Sequence, residues 1–231
     1  MFEPITQPDL VTIIARRITE AIVGGQLPPG ARLNELHLAR NFGTSRAPVR
    51  EAARLLESQG LVQASPRRGF FVRTLTPSDL REIYELRIGL EMYASEIALA
   101  KVGPDELAAL RRQVDVMFKL ADEGSVEKQV FEDFAFHRML CAMSGNSRIL
   151  RIFDEIATEM RAGIALIGKL YDNPHRIAET HLPIIEAMEA RDAARLRGAL
   201  DYHIGAARDA VVALFADMKP AEPMLTGAAS G

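Results

Sequence analysis

Residues 43–62 read GTSRAPVREAARLLESQGLV, and this stretch decides the fold of the first third of the chain. Ser45 is placed to cap a helix, and Pro48 falls in the first turn, where a missing N–H costs nothing. Apolar residues then follow at helical spacing until a glycine ends the segment. The stretch predicts a short amphipathic helix that begins directly after a tight turn.

The same predicted helix carries a stripe of positive charge. Arg46, Arg50 and Arg54 are four residues apart, and the first two lie beside the unpaired backbone N–H groups of the helix start. Arginines there can bind phosphates or donate two hydrogen bonds to O6 and N7 of guanine. An isolated stripe is more often a solvated face. Here the helix follows a turn, and a second basic turn around Arg68 comes after it, so we predict DNA binding.

The distribution of charge along the chain agrees with this prediction. The 231 residues are 48% hydrophobic, enough for one large domain or two small ones, and the net charge is −3. Residues 1–75 hold ten arginines, no lysine and six acids, whereas the remainder holds 18 basic and 25 acidic residues. The net charge is therefore +4 for residues 1–75 and −7 for residues 76–231, which predicts that the N-terminal part binds a polyanion.

Several classes of protein are disfavoured by the composition. An uncharged apolar stretch of about 18 residues, as a membrane span needs, does not occur. The N-terminus MFEPITQPDL lacks the features of a secretory signal. Cys141 is the single cysteine, so an intrachain disulfide is impossible and the expected compartment is the reducing cytoplasm.

Around the opening stretch, the order of predicted elements is that of a winged helix-turn-helix. Residues 8–24 and 34–42 have helical periodicity, and two short β-like runs, 61–63 and 70–73, flank the turn ASPRRG. Residues 74–79, TLTPSD, read as a junction with a capping box.

The rest of the chain is predicted to be helical. The fold class is therefore mostly α: a winged helix-turn-helix domain at 1–75, then an antiparallel bundle of about six helices at 76–218, with a disordered tail at 219–231. The predicted bundle helices span 77–100, 104–122, 126–143, 147–171, 174–190 and 192–217.

The segments LPPGARL, NELHLARNFGTSRAPVREAARLLESQGLV and RRGFFV resemble the DNA-binding domain of GntR-family bacterial transcription regulators over about residues 8–73. The resemblance implies a set of DNA-contacting residues: Ser45, Arg46, Ala47, Arg50, Arg68 and Gly69. Many members carry threonine where this chain has Ala47, so operator preference cannot be copied from relatives.

Ionisable residues interrupt the apolar stripes of four predicted bundle helices. Asp133 and His137 are four apart on one face, and His181, His203 and Arg87 each stand on the inward side of another helix. A single histidine there is more often an ordinary core residue. Five such groups scattered in the core would carry a large desolvation cost, so we expect them to converge on one polar cavity. One carboxylate and three imidazoles suit Zn²⁺, Ni²⁺ or Mn²⁺, and an arginine beside them suits an anion.

A second resemblance supports this hypothesis. The segments ELRIGLE, DFAFH, SGN, ETHLPIIEAMEARD and DYHIG look like the FadR-type effector-binding domain called FCD, over residues 76–218. It implies metal ligation by Asp133, His137, His181 and His203, with Arg87 and Asn146 as effector-binding candidates. Asn146 is equally well placed to cap the C-terminus of a helix, after Gly145. This chain departs from the family pattern at Pro183, which removes a helical hydrogen bond two residues after His181.

Three function classes remain open on the sequence. The first is a cytoplasmic, homodimeric DNA-binding regulator that reads an inverted repeat and responds to a small carboxylate, with repression as the family expectation. The second is a metal-dependent enzyme acting on a small carboxylate. The third is a DNA-binding protein without an effector. We favour the first, because the inward stripes offer no obvious general base and a simple dimerisation domain needs no buried ionisable cluster.

Overall fold

The computed structural model describes residues 9–164 and 173–217. Its N-terminal part consists of three helices and a small sheet, as predicted for a winged helix-turn-helix. In chain order the elements are α1 (Leu10–Val23), β1 (Arg32–Leu33), α2 (Glu35–Asn41), α3 (Arg46–Ser58), β2 (Val62–Ser65) and β3 (Gly69–Val72).

The predicted two-stranded ribbon is in fact a three-stranded antiparallel sheet. Its order is β1-β3-β2, with Arg32 opposite Phe71 and Ser65 opposite Gly69. Strand β1 has only two residues, which is too short for a period of two to be visible in the sequence. The inward faces of the helices and the sheet share one core, built chiefly from Ile14, Ile18, Ile22, Leu33, Val49, Leu56, Phe70 and Val72.

The second part is a helical bundle with its own core. Its helices are α4 (Pro77–Leu99), α5 (Pro104–Asp122), α6 (Val126–Met143), α7 (Ser147–Ile164), α8 (Pro174–Glu179), α9 (Leu182–Glu189) and α10 (Ala193–Asp217). Helix α4 packs against α6 and α10, and α5 packs against α6, α8 and α9. The expected mostly α architecture is confirmed. None of the described helices is long and apolar enough to cross a membrane.

One predicted helix, 174–190, is wrong as a continuous element. The structure divides it at Thr180 and His181 into α8 and α9, because Pro183 has no N–H to continue the hydrogen-bond ladder. The last part of the predicted helix 147–171 and the predicted tail 219–231 lie outside the described residues.

The two parts meet at a charged junction. The side chain of Thr76 accepts a hydrogen bond from the Asp79 amide (3.1 Å), and the Asp79 carboxylate accepts one from the Thr76 amide (2.8 Å), so the expected capping box starts α4. Arg73, just after β3, donates to Asp79 (2.7 Å) and also forms an ion pair with Glu159 of α7. A single arginine therefore connects the wing to two helices of the bundle.

Candidate DNA-binding surface and metal centre

A groove of about 710 Å³ runs between α3 and the wing. The side chains of Arg46 and Arg50 on α3 are 62% and 54% exposed, and Ser45 and Ala47 beside them are also exposed. Ser45 occupies the N-cap position before α3, as predicted, although its hydroxyl makes no capping bond. The residues predicted from α3 therefore lie together on one open face.

The wing adds further positive charge to this groove. The guanidinium of Arg68 lies 5.2 Å from the centre of the Phe71 ring, a cation–π arrangement that leaves the arginine exposed. Gly69 has φ +95°, a conformation that favours glycine. The sequence did not single out Arg32, yet β1 brings it to the same groove, with its guanidinium 3.9 Å from where a Cβ on Gly69 would lie.

In the bundle, the four predicted metal ligands come together. One ligand atom from each of Asp133, His137, His181 and His203 lies within 4.8 Å of the others. Tetrahedral ligands with metal bonds of about 2.0–2.2 Å lie about 3.3–3.6 Å apart, so the widest pair would have to close by up to about 1.5 Å. Asp133 and His137 are one turn apart on α6, whereas the other two come from the α8–α9 break and from α10.

The break between α8 and α9 orients His181. Its backbone N–H bonds to the carbonyl of Ala178 (3.2 Å) rather than to that of Ile177, four residues back. The carbonyl of Ile177 instead lies 2.8 Å from the His181 Nδ1. Because a carbonyl only accepts hydrogen bonds, Nδ1 carries the proton and Nε2 presents a lone pair. The buried Nε2 has no hydrogen-bond partner among the described residues, although Asp133 Oδ1 is 3.3 Å away.

The same reasoning sets the proton positions of the other two imidazoles. Nδ1 of His137 lies 2.5 Å from the carboxylate of Glu91, and Nδ1 of His203 lies 2.8 Å from the Thr180 hydroxyl. That hydroxyl already donates its proton to the Ile177 carbonyl, so His203 must be the donor. Each Nε2 therefore faces the centre unprotonated, and the two Nε2 atoms are only 2.9 Å apart. With each ring neutral and protonated on Nδ1, the three Nε2 lone pairs face the carboxylate of Asp133.

The pKa shifts of these side chains also favour neutral histidines and an ionised Asp133. Burial lowers the pKa of His137, and burial together with the neighbouring histidines lowers the pKa of His203 well below its usual value. Burial alone would raise the pKa of Asp133, but its histidine neighbours lower it overall. Neutral imidazoles and an ionised carboxylate are the forms that bind a divalent cation.

Glu91 is the residue of this candidate site that the sequence reasoning missed. It is fully buried on α4, one turn after Arg87, and its second oxygen lies 2.5 Å from the Arg87 Nε. Burial alone would raise the pKa of Glu91, but Arg87 and His137 lower it overall, so the carboxylate is ionised. The spacing of four in ELRIGLE places both residues on one helix face, and this was the available signal.

Arg87 is 2% exposed and lies against the rings of Tyr84 and Phe134. Its Nη2 has no hydrogen-bond partner within the described ranges. A buried guanidinium nitrogen without a partner is costly unless a ligand supplies an acceptor.

Asn146 has a local structural role. Its side-chain oxygen accepts hydrogen bonds from the backbone of Arg148 (3.0 Å) and Ile149 (3.4 Å), so it caps the start of α7. The cap foreseen from the sequence was at the C-terminus of the preceding helix, whereas Asn146 caps the N-terminus of α7. Behind His203, a cleft of about 280 Å³ opens between α8 and α10, lined in part by Arg176, Thr180 and Tyr202.

The sequence is similar to two known protein families and to several known proteins. Residues 10–72 match the bacterial regulatory proteins of the gntR family, and residues 82–206 match the FCD domain. The chain is 36% identical to an uncharacterized HTH-type transcriptional regulator, YdhC of Bacillus subtilis, over 61% of this chain and 63% of that protein. It is 32% identical to a probable D-xylose utilization operon transcriptional repressor of Paenarthrobacter nicotinovorans, over 84% of this chain and 87% of the relative.

A solved structure, E. coli McbR/YncC, has the same fold. It superposes with a TM-score of 0.77 at 23% identity and covers 90% of this chain and 100% of its own. The family matches cover both parts of the chain, and the relatives are transcription regulators rather than enzymes. The chain belongs to the GntR family of bacterial transcription regulators and carries an FCD domain.

Proposed function

We propose that this protein is a cytoplasmic, homodimeric transcription repressor that binds an inverted-repeat operator and responds to a small carboxylate through a divalent metal site. Residues 1–75 form the DNA-binding module and residues 76–218 the effector-binding and dimerisation module. The exposed arginines of α3 and the wing support the first role. A two-fold dimer reads two half-sites, which is the reason to expect an inverted repeat.

One observation carries the proposal of a metal. A carboxylate oxygen of Asp133 and one ring nitrogen from each of three buried histidines lie within 4.8 Å of one another, and one cation can bind all four. Asp133, His137, His181 and His203 would hold the ion, with Glu91 orienting His137 from outside the ligand set. Imidazole and carboxylate ligands suit Zn²⁺, Ni²⁺ or Mn²⁺. When bound, the ion supplies a Lewis-acidic centre for an anion.

Arg87, next to the four proposed ligands, is the reason to propose a carboxylate as the effector. The unpartnered Nη2 of Arg87 is a buried, positively charged donor close to the ligand set, since Glu91 contacts both Arg87 and His137. An effector carboxylate would supply the missing acceptor. Asn146 remains a candidate through its side-chain NH2 group, because its oxygen caps α7.

A physical route links this cavity to the DNA-binding module. The α4 helix carries Glu91 and Arg87 in its interior and Asp79 at its start, where Arg73 of the wing is bound. An effector that draws α4, α6 and α10 together would shift the α4 start relative to Glu159, the second partner of Arg73. Such a ligand changes DNA affinity only if it binds one arrangement better than the other.

The test has two stages. Purified protein is incubated with Zn²⁺, Ni²⁺ or Mn²⁺, desalted and analysed for metal, and about one ion per chain is expected from one ligand set. A DNA duplex enriched from a random library by the wild-type protein is then titrated with a panel of small carboxylates, with and without chelator. Metal-dependent release of DNA supports the proposal. If the protein retains no stoichiometric metal, the four residues are a polar core network and Arg87 is the main anion-binding group.

A further inference from the structure

A single carboxylate holds both predicted DNA-reading arginines of α3. Glu35, the first residue of α2, accepts a hydrogen bond from Arg46 Nη2 on one oxygen (3.3 Å) and from Arg50 Nε on the other (3.2 Å). The Glu35 side chain is only 10% exposed, whereas the two arginines are more than half exposed. Glu35 is therefore a nearly buried carboxylate that lies beneath two exposed arginine side chains.

Glu35 is also unusual in its surroundings. It is the only acidic residue lining the α3–wing groove in the part of the chain that the structure describes. Every other charged residue of the groove lining is an arginine: Arg32, Arg46, Arg50, Arg54, Arg67 and Arg68. A surface meant only to attract phosphate would gain from losing this carboxylate.

The atoms involved indicate what Glu35 does for each arginine. Arg50 donates to Glu35 through Nε, so neither of its two terminal nitrogens is used in this hydrogen bond. Those two nitrogens form the end of the guanidinium fork, which matches O6 and N7 of guanine. Arg46 uses one terminal nitrogen, so its fork is partly engaged. We therefore expect Arg50 to contact a base edge. We expect Arg46 to contact the DNA backbone or an adjacent base.

We propose that Glu35 is a specificity-determining positioning residue for DNA recognition. It orients Arg46 and Arg50 for contact with base edges, and its negative charge weakens the attraction of the groove for phosphates of any sequence. Phosphate contacts carry no sequence information, so reducing them raises the ratio of specific to non-specific affinity. This inference rests on the proposed DNA-binding function.

The experiment compares two duplexes and three variants of the full chain. One duplex is enriched from a random library by the wild-type protein, and the other is its scrambled version. Glu35→Gln removes the charge with little change of shape, and Glu35→Asp keeps the charge but is too short to reach both arginines. Glu20→Gln is the control, because it removes an exposed glutamate of α1 that pairs with Arg16 outside the groove.

For Glu35→Gln we expect tighter binding of the scrambled duplex and a salt dependence steeper by about 0.9, the value for one additional phosphate contact. The ratio of affinities for the two duplexes should fall by roughly tenfold, the size of one lost base contact. Glu35→Asp should lose specificity with an unchanged salt slope. The control should behave as wild type.

An unchanged affinity ratio in Glu35→Gln, with a thermal midpoint like that of the wild type, would overturn the inference and leave DNA binding intact. An equal loss of affinity on both duplexes would overturn it as well, because that result indicates general damage to the domain. If the wild-type protein enriches no sequence, the proposed function fails and this inference fails with it.

Discussion

The buried ion pair beside the proposed metal ligands allows a quantitative prediction. Glu91→Ala leaves the Arg87 guanidinium, which is 2% exposed, in the bundle core without its carboxylate. Removing one partner of a buried pair costs about 3–5 kcal/mol, out of about 5–15 kcal/mol for a typical protein. In a protein of this size each kcal/mol lowers the melting temperature by about 2–4 °C. We therefore expect a decrease of about 6–20 °C.

The measurement is thermal and urea unfolding of metal-free protein, followed by Zn²⁺ competition titration. The double variant Arg87→Met/Glu91→Leu should recover most of the lost stability, because replacing both charges by apolar groups is often neutral. It should still bind metal about 10–100-fold more weakly, because His137 has lost the carboxylate that orients it. Glu82→Ala, an exposed change on the same helix, is the control.

Two results would refute this reasoning. A loss of less than about 1 kcal/mol in Glu91→Ala would mean that water or another group solvates Arg87 after the substitution. A double variant as unstable as the single one would mean that shape, rather than the unpaired charge, limits stability at this place.

Three further predictions concern DNA, metal and pH. Arg50→Ala should weaken operator binding by about 1–3 kcal/mol and relax specificity at one base pair, and Arg46→Ala should also weaken it; gel shifts at fixed salt that match wild type for both would contradict the assignment. His137→Ala should lose the metal, as elemental analysis after desalting would show, whereas retention of a full equivalent would exclude this ligand. In metal-free protein the pKa values of His137 and His203 lie below their unfolded value of about 6.5, so the unfolded chain binds more protons as the pH falls below it. The free energy of unfolding should then be constant above pH 7. As the pH decreases below about 6.5, it should decrease by up to about 1.4 kcal/mol per pH unit for each histidine. An unfolding free energy that stays constant between pH 7 and pH 5 would contradict this.

Short-range patterns in the sequence determined the local elements. Apolar spacing, together with glycine and proline at the ends, predicted most helix boundaries in the described residues to within a few residues, because helix formation depends on neighbours three and four residues apart. The pair of Asp133 and His137 is a relation of this kind. So is the interruption at Pro183, which the structure turns into the break that orients His181.

The tertiary structure alone decided which distant groups meet. Glu91 lies 46 residues from His137, and Arg73 lies 86 residues from Glu159. Glu35 lies on a different helix from Arg50. No periodicity encodes such pairs, because they arise when separate elements pack. The desolvation cost of burying charge shows that an inward ionisable group needs a partner, but only the packed bundle shows which group that partner is.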